Sequence, residues 1–243
     1  MRNQFKHSLM DNNILRQDLN SIIKFLKKKN IVLTQSKYVR KFEENWSKWL
    51  GVKYSVFVNS GSSANILSLA VLKEFTKKKE IIVPSLTWVS DINAVTMNNF
   101  KPRFVDVQLD NLSMKLEDIK KKINKNTAAI LLETIQGEGG IRPFSIYYLE
   151  EIKKICLKNN FLLFLDEVQC GFGRTGKMFC YEWSNIEPDI MAVAKGIGSG
   201  FPLGACLTTS KASVGMTKGM HGSTFGGNPL AISVGQEVIN VLG

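Results

Sequence analysis

The chain has 243 residues, of which 44% are hydrophobic and 22% are charged, and its formal net charge is +11. This apolar content is enough to bury the core of one large domain, so an intrinsically disordered chain, a collagen and a small disulfide-linked scaffold are excluded. No run of about 18 apolar residues is present, which excludes a membrane-spanning helix. Residues 1–13 are too polar for a signal peptide.

Cysteine and histidine content bears on the cellular compartment and on metal binding. The sequence contains no Cys-x-x-Cys pair and only two histidines, which argues against a disulfide framework and against a structural zinc site. We therefore expect a reduced, cytoplasmic protein without a metal site and without a membrane partner. The cysteines are Cys156, Cys170, Cys180 and Cys206.

Charge is distributed unevenly along the chain. Residues 1–130 carry 23 basic and 11 acidic side chains, whereas residues 131–243 carry 9 and 10. Only two of the 19 glycines precede residue 131. The lysines of the first half come in runs that are typical of solvated helix faces, although a basic half would also suit an anionic, nucleotide-bearing substrate. The sequence contains no nucleic-acid-binding motif, so we expect no nucleic-acid partner.

Apolar periodicity predicts helices that alternate with short strands. Continuous apolar runs alternating with amphipathic stretches indicate strands buried on both faces, and therefore a mainly parallel sheet in an α/β domain. The predicted helices cover residues 15–26, 38–50, 64–72, 91–97, 116–123 and 146–156. The predicted strands cover residues 54–58, 81–83, 104–107, 128–132, 161–165 and 190–194. In the second helix we expect Phe42, Trp46, Trp49 and Leu50 to form the buried face.

A glycine-rich loop at residues 171–178 matches two phosphate-binding patterns, GxGxxG and GxxxxGK. The second pattern lacks its magnesium-binding Ser or Thr because Met178 stands there. Residues 179–183 show no helical period, so the loop would lack the helix N-terminus that binds phosphate in both motifs. We therefore do not expect a P-loop NTPase or a Rossmann dehydrogenase.

Two residues are candidates for chemistry because of where they stand. Lys195 follows the apolar run at 190–194, where burial would disfavour the ammonium form and leave the amine nucleophile of Schiff-base chemistry. A strand-edge lysine that extends to solvent is the alternative. Asp166 follows the run at 161–165, and a carboxylate at the carboxyl end of a buried strand lies where open α/β sheets bind ligands. A turn or cap residue is the alternative there.

Further candidates lie at the same predicted edge of the sheet. The turn after the first predicted strand contains Ser62 and Ser63, whose hydroxyl and N–H groups at a helix start suit a phosphate dianion. Trp88 follows the second predicted strand, although an isolated tryptophan there could also belong to the core or its rim. A Schiff-base lysine, an acid for a pyridinium nitrogen, an anion site and a flat aromatic face together predict pyridoxal 5′-phosphate as the cofactor. Lys195 would then also move the substrate proton as general base and acid.

Residues from about 131 to 243 resemble the class III aminotransferases of the acetylornithine/ornithine type, which are fold-type I pyridoxal-phosphate enzymes. Thr134 stands where that family usually has proline. The motifs that carry the resemblance are ETIQGEGG at 133–140, LDEVQCGFGRTG at 165–176, PDI at 188–190, AKG at 194–196 and HGSTFGGNP at 221–229.

Residues from about 31 to 129 resemble instead the DegT/DnrJ/EryC1/StrS sugar aminotransferases. We therefore expect a composite chain whose resemblance switches near residues 127–131, where charge and glycine content also change. The motifs are LTQ at 33–35, VRKFE at 39–43, LGVKY at 50–54, NSGSSA at 59–64, VPSLTW at 83–88 and PRFVDV at 102–107.

The two resemblances imply roles for individual residues. Lys195 would bond to the cofactor aldehyde, Asp166 would pair with the pyridinium nitrogen, and Gln169 would contact the cofactor near its phenolic oxygen. Thr224 resembles the class III threonine that reaches the phosphate of the neighbouring subunit, which implies a homodimer. Glu138 resembles the class III glutamate that gates substrate carboxylates. By the same comparison, Ser62 and Ser63 would hold the phosphate and Trp88 would stack on the ring.

The resemblance also implies the architecture and the activity. We expect a three-layer α/β/α fold with a mainly parallel sheet, an N-terminal helical segment at residues 1–50, and a cofactor-binding large domain at 51–243 without the small C-terminal domain. The implied activity is a transaminase that moves an amino group between an amino acid such as glutamate and a carbonyl acceptor. The acetylornithine or ω-amino-acid type is favoured because the lysine, aspartate and glutamate motifs belong to it. A nucleotide-sugar aminotransferase and an inactive cofactor-binding fragment are the alternatives.

Overall fold

The computed structural model describes residues 15–217 and 219–242, so the expectation for residues 1–13 lies outside the described residues. Within these ranges, no helix combines the length and the apolar composition that crossing a membrane requires. The β-strands are β1 (Tyr54–Val58), β2 (Glu80–Pro84), β3 (Lys101–Val105), β4 (Thr127–Glu133), β5 (Ile135–Gln136), β6 (Arg142–Pro143), β7 (Leu162–Asp166), β8 (Ile190–Val193) and β9 (Gly204–Thr208). The α-helices are α1 (Arg16–Leu26), α2 (Lys37–Leu50), α3 (Gly61–Phe75), α4 (Val89–Met97), α5 (Leu116–Lys122), α6 (Ile146–Asn159) and α7 (Pro229–Leu242).

Seven strands form one sheet in the order β1-β9-β8-β7-β4-β2-β3, and β5 pairs separately with β6. Strands β3, β2, β4, β7 and β8 are parallel, as expected from the sequence. Strand β9 is antiparallel to both β8 and β1, so β1 points in the same direction as the parallel strands. Six strands therefore end at one edge of the sheet. We call this the carboxyl edge; its strand-terminal residues are Val58, Pro84, Val105, Glu133, Asp166 and Val193.

Helices cover both faces of the sheet. One face, which includes Ile81 and Val83, packs against α3 and α4. The opposite face packs Ile82 against α5 and α6, and Phe57 against α2 and α7. Neighbouring residues of β2 alternate between the two cores, as the two-residue period of a strand requires. The predicted three-layer α/β/α fold is confirmed.

Helix α2 shows how local sequence sets an element and where the prediction of its buried face is wrong. The Ser36 hydroxyl accepts the N–H of Tyr38 at the start of the helix, and Gly51 ends it in the left-handed conformation with φ 75°. Phe42 and Trp46 are buried, but Trp49 is 48% exposed. The buried face of α2 reaches Trp46, whose ring centroid lies 4.9 Å from the ring centroid of Phe57 in β1.

The remaining differences from the predicted elements lie at the margins of the sheet. The third strand is Lys101–Val105 rather than 104–107. It is the edge strand of the sheet and includes Pro102, which an edge position tolerates because one side of its backbone needs no partner. Strand β9 and helix α7 were not predicted. A short antiparallel strand that begins with Gly204 lacks the long apolar run that marks a buried parallel strand.

Candidate active site

The carboxyl edge gathers four of the site residues predicted from the sequence. Asp166 is the last residue of β7, and Lys195 follows the end of the adjacent strand β8 by two residues. Ser62 follows the end of β1 and Trp88 follows the end of β2, each by four residues. The sheet topology therefore brings these four positions, which span more than a hundred residues of sequence, to one side of the molecule. Their roles remain predictions.

Asp166 is held by two hydrogen bonds in a buried position, where it is 5% exposed. Its Oδ2 accepts the amide Nδ2–H of Asn65, a residue of α3, at 2.7 Å. Its Oδ1 accepts the backbone N–H of Val168 at 2.8 Å. Donors on both oxygens fix the orientation of the carboxylate.

Two further acids lie close to Asp166. Asp91 in α4 is 0% exposed, and Glu133 is 6% exposed at the end of β4, where it pairs in register with Asp166. Burial raises the pKa of Asp91 well above its ordinary value, and the charge of Asp166 raises it further. Burial and then Asp166 also raise the pKa of Glu133 to about 7, an effect that nearby Lys195 partly offsets. The three acids therefore carry fewer than three negative charges at neutral pH.

The sequence analysis did not identify Asn65, Asp91 or Glu133 as site residues. A usable signal existed for Glu133, because it ends a buried apolar run just as Asp166 does. Asn65 is a polar residue in a helix whose neighbouring residues are apolar, which is unusual for a buried face. Nothing in the local sequence distinguishes Asp91 from an ordinary first-turn acid of a helix.

Lys195 differs from the expectation of a lysine buried in a strand. Strand β8 ends at Val193, Ala194 is still buried, and Lys195 begins a four-residue 3₁₀ turn with φ 47°. The positive φ turns the chain away from the strand direction, and Lys195 is exposed. The expectation that Lys195 is buried is therefore wrong. Its placement beside the acidic cluster stands, because its charge acts on Glu133.

The turn between β1 and α3 is preorganised by its own side chains. The Ser60 hydroxyl caps α3 by accepting the N–H of Ser63 at 3.2 Å. The Ser63 hydroxyl donates to Asn59 Oδ1 at 2.7 Å, whereas Ser62 is exposed. A Cβ at Gly61 would lie 2.8 Å from both Val168 methyl groups, so the turn packs directly on the segment that follows Asp166.

Two residues implied by the resemblance flank this group. Gln169 is exposed, and its amide occupies the space that a side chain at Gly137 would need. Glu138 is exposed in the loop between β5 and β6. Trp88 is 48% exposed at the start of α4, where its indole is free to contact a ligand.

Thr224 lies in the segment between β9 and α7. It is exposed and lines a cleft of about 540 Å³ together with Gln35, Glu43 and His221. Ser62 and Ser63 are not among the residues that line this cleft. The phosphate-binding role of Thr224 stays a prediction.

Glu167, next to Asp166, stabilises the local fold. It is fully buried, and its carboxylate accepts the backbone N–H groups of Cys180 and Tyr181, each at 2.8 Å. One of its carboxylate oxygens and the Sγ atoms of Cys170 and Cys180 all lie within 4.8 Å of one another. Because the carboxylate is committed to backbone donors, we assign it to holding the loop at 171–178 rather than to metal binding. A 3₁₀ turn of four residues follows that loop, too short for the helix that a phosphate-binding motif requires.

The fold and the arrangement at the carboxyl edge can now be compared with known proteins. A model of the aminotransferase class-III family matches residues 85–243, and the chain belongs to that family. The acetylornithine aminotransferase of Mesorhizobium japonicum is 58% identical over 127 residues, which are 52% of this chain and 32% of that protein. The acetylornithine aminotransferase of Nitrosomonas europaea is 39% identical over 210 residues, covering 79% of this chain and 52% of that protein.

Solved structures give the same fold. The ornithine δ-aminotransferase of Plasmodium falciparum superposes with a TM-score of 0.80 at 28% identity, over 95% of this chain and 59% of that chain. The N-acetylornithine aminotransferase of Stenotrophomonas maltophilia gives 0.76 at 25% identity, over 94% and 59%. The chain thus spans between a third and three fifths of the length of these relatives.

The class-III match begins at residue 85, ahead of the predicted switch at 127–131. Residues 85–126, which resemble the sugar aminotransferases in the sequence analysis, therefore also fit the class-III family. The DegT-like resemblance and the composite origin of the chain stay predictions.

Proposed function

We propose that this chain forms the cofactor-binding part of a pyridoxal-phosphate-dependent aminotransferase of the acetylornithine type. It would move an amino group from an amino acid such as glutamate to a keto or aldehyde acceptor. One observation carries the proposal: Asp166 ends β7 and Lys195 follows the adjacent strand β8 at the carboxyl edge, beside a capped serine turn. The similarity to acetylornithine aminotransferases supports this substrate class over others.

The residues present fit pyridoxal phosphate by their donor chemistry. Asp166 is a buried acid with fixed orientation, which suits a protonated ring nitrogen. Asp91 and Glu133 lie near it as further acidic groups, and the charge of Lys195 lowers the pKa of Glu133. A buried acidic cluster of this kind favours a cationic ligand, because uncompensated buried charge is costly.

Different residues of the chain would transfer the proton, bind the phosphate and position the ring. When bound, pyridoxal phosphate supplies a ring that accepts the electrons released as a C–H bond of the substrate breaks. Lys195 Nζ would take that proton and return it, as general base and then acid. Ser62, Ser63 and the first-turn N–H groups of α3 would bind the phosphate, and Gln169 and Trp88 would position the ring.

Further parts of the proposal concern substrate, assembly and location. Glu138, exposed in the hairpin loop, would face the carboxylate-bearing substrate, as the resemblance implies. We infer a homodimer in which Thr224 contributes to the phosphate site of the neighbouring subunit, as its resemblance to the class III threonine implies. A reducing cytoplasmic location is consistent with the four cysteines, all of which are buried thiols.

A nucleotide-sugar aminotransferase is the second candidate. The exposed Trp88 at the carboxyl edge and the excess of basic residues before residue 131 favour it. The two candidates use the same cofactor and differ in the amino acceptor. An inactive cofactor-binding chain is the remaining alternative.

The test is to add pyridoxal phosphate to the purified chain and follow the visible absorbance of the lysine Schiff base. We expect a band that is absent in Lys195→Ala and retained in Lys158→Ala, a control at an exposed lysine of α6. Glutamate or N-acetylornithine should shift the band, whereas a shift only with an amino-sugar nucleotide would favour the second candidate. A band that no amino donor shifts would indicate an inactive binding chain, and no band at all would contradict the proposal.

A further inference from the structure

Asp91, Asn65 and Asp166 form a continuous buried chain of hydrogen bonds. The Asn65 amide donates both of its hydrogens, one to Asp91 Oδ1 at 2.8 Å and one to Asp166 Oδ2 at 2.7 Å. Asn65 and Asp91 are both 0% exposed, and Asp166 is 5% exposed. An amide that donates to two carboxyl groups fixes their separation and orientation, and here it links a residue of α4 to the end of β7 through α3.

Ionising two buried carboxyl groups that lie so close together costs more free energy than ionising the same groups apart. Like charges in a region of low dielectric repel strongly, so one member of such a pair keeps its proton. Asp166 has an additional donor in the N–H of Val168, whereas Asp91 has the hydroxyl of Thr87, which can donate or accept. The environment therefore favours charge on Asp166 and the proton on Asp91.

The acids that face Asp91 act in the same direction. Burial raises the pKa of Asp91 most, the neighbouring Asp166 raises it further, and Glu133 adds a smaller contribution. The Thr87 hydrogen bond lowers it. Asp166 and Glu133 are thus the titratable groups that act on Asp91, and both favour its neutral form.

We infer that Asp91 is a positioning residue: as a neutral carboxylic acid joined to Asp166 through Asn65, it keeps Asp166 as the anion that meets a cationic ring nitrogen. The inference rests on the proposed function for the identity of the ligand. Beyond that function, it assigns a protonation state to Asp91 and a positioning role to Asp91 and Asn65. A neutral group at position 91 fixes the Asn65 amide, and through it Asp166, without adding a second negative charge.

Protonation of Asp91 is testable without any ligand. In cofactor-free protein labelled with ¹³C at the aspartate carboxyl groups, one NMR signal should remain that of the protonated acid at neutral pH. That signal should be missing from Asp91→Asn and present in Asn98→Leu. Asn98 is a matched control, because it is a buried amide that joins the same two helices through the carbonyls of Ile66 and Ala94. Titration of every aspartate near its ordinary value of about 4 would overturn the inference.

Affinity for pyridoxal phosphate tests the positioning role. Asn65→Leu removes a donor to the Asp166 carboxylate, and Asp91→Leu removes the acceptor that orients Asn65, so we expect the dissociation constant to rise by about tenfold or more in each variant. Asp91→Asn retains a neutral acceptor for the Asn65 amide, so it should restore most of the affinity lost in Asp91→Leu. If Asp91 were instead ionised, Asp91→Asn would weaken binding of the cationic ring by removing a negative charge, and the inference would fail. A wild-type chain that binds no cofactor would contradict the proposed function, while the NMR titration would still decide the state of Asp91.

Discussion

Glu133 and Asp166 lie side by side on the adjacent parallel strands β4 and β7, with both side chains buried. Parallel strands in register place equivalent side chains on the same face, so these two acids meet at the carboxyl edge and face α3. The pair concentrates negative charge where the sheet ends. It therefore makes the stability of the protein depend on pH.

Replacing Glu133 by Gln should flatten that dependence. The pKa of Glu133 is raised to about 7 in the folded protein, above its ordinary value of 4.5, so the folded state binds the proton more tightly. Its contribution to stability is full below pH 4.5 and is lost as the pH rises to about 7. Relative to wild type, cofactor-free Glu133→Gln should gain roughly 3 kcal/mol between these limits. Urea denaturation at a series of pH values would measure this, and parallel curves for the two proteins would contradict it.

Adding a methyl group at Gly61 should disturb both the serine turn and Asp166. The new Cβ would lie 2.8 Å from both methyl groups of Val168 and 3.3 Å from Ala194 Cβ. We expect Gly61→Ala to lower the free energy of unfolding by about 1–3 kcal/mol, measured by chemical denaturation. Gly222→Ala is the control, because no atom lies within 4 Å of its added Cβ. Equal stability of the two variants would show that the turn does not pack as described.

The cap of α3 should contribute measurably to stability. The Ser60 hydroxyl accepts the N–H of Ser63 at 3.2 Å, and removing it leaves a first-turn donor without its partner. Thermal unfolding of cofactor-free Ser60→Ala should show a loss of about 1 kcal/mol. The exposed Ser62, replaced by Ala in the same helix, should leave the unfolding temperature of the cofactor-free protein nearly unchanged. A larger loss for Ser62→Ala would contradict the assignment of Ser60 as the cap.

Glu167 should matter for folding rather than for ligand binding. Its carboxylate accepts two backbone N–H groups, from Cys180 and Tyr181, in a fully buried position. Glu167→Ala leaves both donors unsatisfied, and we expect a loss of about 3 kcal/mol or more in the free energy of unfolding. Glu151→Ala, which removes only a surface ion pair with Lys154, should change stability little. A mild effect at Glu167 would indicate that water or a neighbouring group replaces the carboxylate.

The parallel part of the sheet could be predicted because its signals are local. Buried parallel strands are continuous apolar runs, so β1, β2, β4 and β7 were placed to within about two residues of their ends. Asp166 was found from its place after such a run. Strand β9 could not be found in this way, because a five-residue antiparallel strand starting at Gly204 has no comparable run.

The parts of the site that were missed depend on contacts between distant segments. Asn65 and Asp91 are 26 residues apart, and only the packing of α3 against α4 brings their side chains together. The burial predicted for Lys195 was inferred from the residues before it. The chain turns away from the strand direction at Lys195, where φ is positive. A positive φ is uncommon for a lysine, so a single sequence does not predict it.

The pairing of β1 with β9 has a consequence for how the protein is made. Within the part of the chain that the structure describes, β1 pairs with β9 alone, and the two strands are separated by about 145 residues of sequence. Gly204 at the start of β9 also packs against the Ser60 carbonyl so closely that no side chain would fit there. During synthesis on the ribosome, the serine turn therefore lacks its contact with β9 until most of the polypeptide has emerged. Contacts of such long sequence separation form late and slowly, so the part of the sheet beside the serine turn should assemble late.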